Sequence, residues 1–252
     1  MDDLLPVLQE SADRLRGLVA PLSDEQLSAP AYPSEWSIAQ VLSHIGSGAV
    51  IMQRRLEDGV RGEPTPDDFA PSVWDVWNAK SPRSMADDAL AADRALNDRL
   101  GALTGEERGA TFRLGPIELD LAGLVGLRLN EHVLHTWDVA VAGDPSSTLP
   151  AEATGAVVDN LGFVARWTAR PTGADRLIAV ATTGPERGFT VTLTPESAVL
   201  AAADPPGTPD LALPAEAFVR LVYGRLDPDH TPPVSAADGG VLDELRRVFP
   251  GP

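Results

Sequence analysis

No cysteine occurs anywhere in the 252 residues, and that absence removes disulfides, thiolate metal ligands and a cysteine nucleophile together. Any thiol chemistry therefore depends on a thiol brought in from outside. Positive charge is also scarce: 20 Lys and Arg stand against 37 Asp and Glu, a formal net charge of -17. Nucleic acid and anionic membrane surfaces both require a basic footprint, so neither is expected as a partner. An acidic surface also keeps a protein in solution, which is the plainer reason for the charge. No apolar run approaches the roughly 20 residues needed to span a bilayer. The opening segment MDDLLPVLQE is acidic where a secretory signal is basic, and no small-residue cleavage site follows it. A cytoplasmic protein is the expectation.

What remains is a globular composition, 43% hydrophobic and 23% charged, in a chain long enough for two domains that each bury a core. Leu4, Leu5, Leu8, Ala12, Leu15, Leu18 and Val19 recur at helical spacing and predict an amphipathic helix ended by Pro21. Ser37 stands three residues before Gln40, a capping-box arrangement that opens a second helix with the stripe Ile38, Val41, Leu42, Ile45, Ala49, Met52 and Leu56. Residues 62–82 are rich in Pro, Asp and Trp and show no clean period, which reads as a long structured loop with a short helical turn near Trp74 and Trp77. A third helix starts near Pro82, with Met85, Ala89, Ala92, Leu96, Leu100 and Leu103 as its buried stripe. The fourth, from Asp120 to Ala142, is apolar on nearly every side and stops at Gly143-Asp144-Pro145. Four such helices predict an antiparallel four-helix bundle over residues 1–145.

The remainder reads differently. A helical pattern from Ala151 to Trp167 gives way to short strand patterns at Leu177–Ala181, Phe189–Leu193 and Ala198–Leu200. Helical patterns return at Pro214–Tyr223 and Gly240–Phe249. The expectation is an α+β domain, helices on an antiparallel sheet, over residues 150–252, with the break inside Gly143–Pro150.

Candidate chemistry concentrates in the helices of the first domain. Glu131 and His135, spaced i, i+4 in Asn130-Glu131-His132-Val133-Leu134-His135-Thr136-Trp137-Asp138, project from one helical face as a metal-binding pair must. His44 lies on another helix, with Gly48 one turn on as a small neighbour that leaves room for an ion. Together His44, Glu131 and His135 form a three-ligand set of the kind found in catalytic rather than structural zinc sites. His132, spaced i, i+3 from His135, offers a rival triad in place of Glu131. Asp138 is placed to orient an imidazole. The plainer reading is of ordinary helix residues, each histidine satisfied by a hydrogen bond. Trp36, Trp74, Trp77 and Trp137 read as packing elements, and His230, in a proline-rich loop, as exposed and uninvolved.

The segment Trp36-Ser37-Ile38-Ala39-Gln40-Val41-Leu42-Ser43-His44 and the segment Asn130–Asp138 together resemble the two metal motifs of the mycothiol-dependent maleylpyruvate isomerase family, within the DinB-like superfamily. The resemblance implies a DinB-like antiparallel four-helix bundle followed by a small α+β domain similar to the sterol-carrier-protein fold. It also implies zinc, or another divalent metal, on His44, Glu131 and His135, with His132 outside the set. A functional arginine in the second domain falls on Arg225, in Leu221-Val222-Tyr223-Gly224-Arg225.

By the same resemblance the cosubstrate is mycothiol, a low-molecular-weight thiol, and the other partner a small electrophilic molecule. A metal lowers the pKa of a coordinating thiol. In an isomerase the thiol would add to an activated cis double bond, allow rotation and leave; in an S-transferase the adduct would remain. Arg225 would hold a carboxylate of substrate or thiol. The alternatives are a thiol-independent metal-dependent hydrolase with His132 or Asp138 as base, and a non-catalytic ligand-binding protein of the same fold.

Overall fold

The structure, a computed structural model, describes residues 3–114 and 117–251. Met1, Asp2 and Pro252, at the outer bounds of the two expected domains, lie outside the described residues. The chain divides into two compact units, Met1–Ser147 and Thr148–Pro252. Among the described residues no helix is long and apolar enough to cross a membrane.

In the first unit, α1 (Leu4–Val19), α2 (Asp24–Leu27), α3 (Ile38–Val60), α4 (Phe69–Asn78) and α5 (Pro82–Gly101) precede a hairpin of β1 (Phe112–Leu114) and β2 (Ile117–Leu119), and α6 (Leu121–Gly143) closes the unit. Four long helices carry it: α3 packs on α5 and α6, and α1 packs on the same two. Local signals set their starts. Ser37 caps α3 through a full capping box with Gln40, and Asp120 caps α6 by accepting from the Gly123 amide at 2.8 Å. Both caps satisfy amides that have no partner inside the helix.

The stripes expected on α1, α3 and α5 point into a core that includes Leu15, Val19, Leu42, Ile45, Trp77, Met85 and Ala89. On α3 Ile51 is buried and the expected Met52 only partly so, and on α5 Asp93 is buried beside Ala92, which is half-buried and packs against the core. The expected loop over 62–82 is also corrected, because α4 occupies ten residues of it. Phe69, Val73 and Trp77 recur every fourth residue there, a period too short to stand out beside the prolines. The indole of Trp77 then fills the gap left by Gly46, where a Cβ would lie 2.3 Å from the ring.

The second unit contains α7 (Ala151–Val158), α8 (Leu161–Thr168), β3 (Arg176–Thr183), β4 (Arg187–Thr194), β5 (Ser197–Ala203), β6 (Leu211–Pro214), α9 (Ala215–Val222), β7 (Ser235–Ala236) and α10 (Val241–Val248). The single helix expected over 151–167 is two, broken at Asp159-Asn160, where the Asn160 amide turns back to the Val157 carbonyl. The sheet runs in the order β5-β4-β3-β6-β7. It is mixed rather than purely antiparallel, because β6 pairs parallel to β3. Only four residues long, β6 gives too short an alternation to read as a strand in sequence. The core of this unit joins Ile178, Val180, Val191 and Leu193 of the sheet to Phe218 and Leu221 of α9, with the Phe189 and Phe218 rings 4.9 Å apart. His230 is half-buried, its Nδ1 2.9 Å from the Asp227 carboxylate, which corrects the expectation of an exposed loop residue.

Candidate metal centre

Helical spacing puts Glu131 and His135 one turn apart on the same face of α6, and the packing of α6 on α3 brings His44 to them. Each of the three residues offers a donor atom, and all three atoms lie within 4.8 Å of one another. His44 Nε2 is 3.4 Å from Glu131 Oε2, and His135 Nε2 is 3.6 Å from the same oxygen. Two donors bound to a tetrahedral zinc at about 2.0–2.1 Å stand roughly 3.3–3.4 Å apart, and the two distances to Glu131 lie near that value. The His44 and His135 rings meet edge to face, with centroids 4.6 Å apart.

Enclosure by protein raises the pKa of the Glu131 carboxyl. The hydrogen bonds and charges of His135 and His44 outweigh that effect and hold it well below the usual carboxylate range. It is therefore ionised, as a ligand must be. The side chains of Glu131 and His44 are 52% and 38% exposed, that of His135 only 12%. The cluster thus opens toward solvent on the Glu131 and His44 side.

Asp138, fully buried one turn beyond His135, lies 2.8 Å from His135 Nδ1 through Oδ2. A carboxylate accepts, so Nδ1 donates to Asp138, and Nε2 is the ring nitrogen turned toward Glu131, where its lone pair would become available to a metal once any proton on it is displaced. This is the orienting role that the sequence allowed for Asp138. Trp36, just before the α3 cap, sets its ring 5.5 Å from that of His44. Trp77 and Trp137 are buried packing residues, as expected, whereas Trp74 is exposed.

His132 takes no part in the cluster. It is completely buried, with Nε2 2.5 Å from Asp93 Oδ2 and Nδ1 2.8 Å from Ser11 Oγ. Arg128 completes this second group, its Nη2 donating to Asp93 Oδ1 at 2.6 Å and to the Ile45 carbonyl at 3.1 Å. Burial pushes the Asp93 carboxyl up, but the adjoining His132 and Arg128 prevail and hold it far below its ordinary value. Gly48 serves this group rather than an ion, since a Cβ there would stand 3.1 Å from Arg128 Nη1. Sequence reasoning missed Asp93, Arg128 and Ser11. The available signal was a carboxylate at 93 in phase with Ala89, Leu96 and Leu100, where an unpaired charge is not tolerated.

Arg225 lies in the second unit, just after α9. It is buried and donates from Nη1 to the Tyr223 carbonyl at 2.9 Å. Gly224 before it has φ +69 and leaves no space for a Cβ, which would meet Gly251 at 2.2 Å. That residue must be glycine for the backbone to turn there.

Two long packed helices thus bring together a His/Glu/His donor set that could hold a metal ion, with a carboxylate against one of the imidazoles. The family described as the mycothiol maleylpyruvate isomerase N-terminal domain matches residues 8–140, and the chain belongs to it. Membership places it among enzymes of the mycothiol-dependent isomerase and transferase kind. Two uncharacterised proteins of Mycobacterium tuberculosis, from strains CDC 1551 / Oshkosh and ATCC 25618 / H37Rv, are each 25% identical over 150 residues, covering 60% of this chain and 72% of the relative. The crystal structure of the mycothiol-dependent maleylpyruvate isomerase, and that of a histidine-to-alanine mutant of it, share the fold with a TM-score of 0.66 at 12% identity, over 89% of both chains.

Proposed function

We propose that this chain is a zinc-dependent, mycothiol-dependent enzyme, an isomerase or S-transferase acting on a small electrophilic substrate. The observation that carries the reading is the convergence of His44, Glu131 and His135 within 4.8 Å, with Asp138 bonded to His135 Nδ1 so that Nε2 is the nitrogen turned toward the cluster. A bound zinc would supply a Lewis acid that lowers the pKa of a thiol. The chain's own residues do the rest. To hold a metal, His44 and His135 would each offer a ring-nitrogen lone pair beside the ionised Glu131 carboxylate, and Asp138 would keep the Nδ1 proton of His135 in place. Without a cysteine of its own, the chain requires an external thiol, and family membership names mycothiol. Arg225 is assigned to binding a carboxylate of thiol or substrate, a task suited to a planar bidentate donor in a chain of net charge -17.

The same reading makes the four long helices a DinB-like antiparallel bundle and the second unit a domain of the sterol-carrier-protein type, in a cytoplasmic enzyme. Elemental analysis of the purified chain tests the metal: one zinc per chain is expected, with loss in His44→Ala and His135→Ala. Equal metal content in all three proteins sinks the site. Calorimetric titration of mycothiol into the zinc-loaded chain tests the thiol, and no heat at millimolar thiol removes it from the reading.

A further inference from the structure

The buried group around His132 is costly and is not needed to hold a helical core together. Taking charges out of water costs several kcal/mol per ion, and replacing buried ion pairs by apolar residues of similar size is often neutral or stabilising. Arg128 and Asp93 are nonetheless 3% exposed each, and His132 is not exposed at all. Their placement relative to the metal ligands is specific. The guanidinium of Arg128 donates to the carbonyl of Ile45, the residue that follows His44 on α3. Arg128 itself stands one turn before Glu131 on α6. Gly48, one turn beyond His44, leaves the space the guanidinium occupies.

His132 completes the geometry. At about 100° per residue, it lies roughly 100° around α6 from Glu131 and roughly 60° from His135. Its two ring nitrogens are held by Asp93 on α5 and Ser11 on α1. Rotation of α6 about its own axis would break those bonds, and sliding of α6 along α3 would break the bond to Ile45. The two movements that would separate the Glu131/His135 pair from His44 are thus both opposed by one connected group.

We propose that Arg128, Asp93 and His132 form an alignment clamp that fixes the separation between His44 on α3 and the Glu131/His135 pair on α6, and that they are positioning residues for the metal. The proposal rests on the metal reading given above. In this account the clamp sets metal affinity and coordination geometry, and core stability is carried by the surrounding apolar packing.

The test uses the full-length chain freed of metal and titrated with zinc against a chromophoric chelator, with the visible spectrum of the cobalt(II)-loaded protein as a report on coordination. The triple variant Asp93→Leu/Arg128→Met/His132→Leu removes every charge of the clamp at once and strands none of them. It is expected to keep its thermal midpoint, to lose about tenfold or more in zinc affinity and to change the cobalt spectrum. Arg128→Lys keeps a positive charge facing Asp93, but its ammonium ends one bond short of the position of Nη2, the single nitrogen that donates to both Asp93 and the Ile45 carbonyl. It is expected to bind zinc several-fold more weakly while staying folded. Folded variants that bind zinc as tightly as the parent chain, with an unchanged cobalt spectrum, overturn the clamp. If the triple variant does not fold, Arg128→Lys alone decides by the same criterion. A parent chain that binds no zinc overturns the metal reading instead, so the two failures are told apart.

Discussion

Asp138 and His135 are joined across one turn of α6 by a 2.8 Å hydrogen bond from Nδ1 to Oδ2. Asp138 is wholly buried and His135 nearly so. The bond therefore forms away from competing water and fixes the ring with Nε2 turned toward Glu131. Removing the carboxylate should loosen the ring and reduce its basicity. Asp138→Asn is expected to weaken zinc binding by about 10- to 100-fold, with one ion per chain retained at saturation. Competition with a chromophoric chelator measures this, and an affinity equal to that of the parent chain would show that Asp138 does no more than fill space.

Asp93 gives the chain a pH dependence of calculable sign. Its carboxyl is held far below the usual range by His132 and Arg128 despite burial, so the folded state binds its proton more weakly than the unfolded state. A depressed carboxylate contributes its full stability above the unfolded pKa, about 3.9 for Asp, and loses it as pH falls through the folded value. Asp93→Asn should therefore destabilise the chain by about 3–5 kcal/mol near neutral pH. The gap between the two proteins should narrow progressively below about pH 4. Urea unfolding of both at pH 7, 5 and 3.5 measures it, and a gap that stays constant over that range contradicts the depressed carboxylate.

Gly46 reports on packing rather than chemistry. A Cβ at this position would lie 2.3 Å from the Trp77 ring and 2.7 Å from the Ala89 Cα, so both a rigid indole and a helix backbone would have to move. Gly46→Ala is expected to lower stability by about 1–3 kcal/mol even though alanine is the better helix former. Thermal unfolding checks the value, with Gly101→Ala as a control because a Cβ there meets nothing within 4 Å. A Gly46→Ala protein as stable as that control would mean that α4 does not seat Trp77 against α3.

Arg225 tests the second unit. Arg225→Gln should leave zinc content unchanged and raise KM for the carboxylate-bearing ligand by about 10-fold or more, the scale of one lost charge-assisted hydrogen bond. Steady-state kinetics beside elemental analysis separates the two quantities. An unchanged KM would return Arg225 to a purely local role on the Tyr223 carbonyl.

Much of this molecule is written in short-range pattern. The capping box of α3, the i, i+4 stripes of α1, α3 and α5, the alternation in β3 and β4 and the i, i+4 pairing of Glu131 with His135 all follow from the geometry of a single element. Elements too short to show a full period were read in part or escaped: α4, among its prolines, gave only a turn near Trp74 and Trp77, and β6, with its four residues, gave nothing. The break between α7 and α8 escaped for a related reason, since the apolar period continues in phase across Asp159-Asn160.

By itself, then, the sequence determined that any thiol must come from outside and that α6 carries two adjacent candidate histidines beside an acid. It also determined that His44 waits on a separate capped helix. Only the tertiary structure decided which donors of α6 lie beside His44, Glu131 with His135 rather than His132. His132 and His135 lie about 60° apart on the same helix, and periodicity alone says nothing about which direction around α6 faces α3. That choice was made by residues far away in the chain. Asp93 and Ser11 draw His132 into the core, Arg128 ties α6 to the carbonyl beside His44, and the face left toward α3 is the one bearing Glu131 and His135. A buried charge must find its partner wherever the chain supplies one, and that requirement acts through space rather than along the sequence.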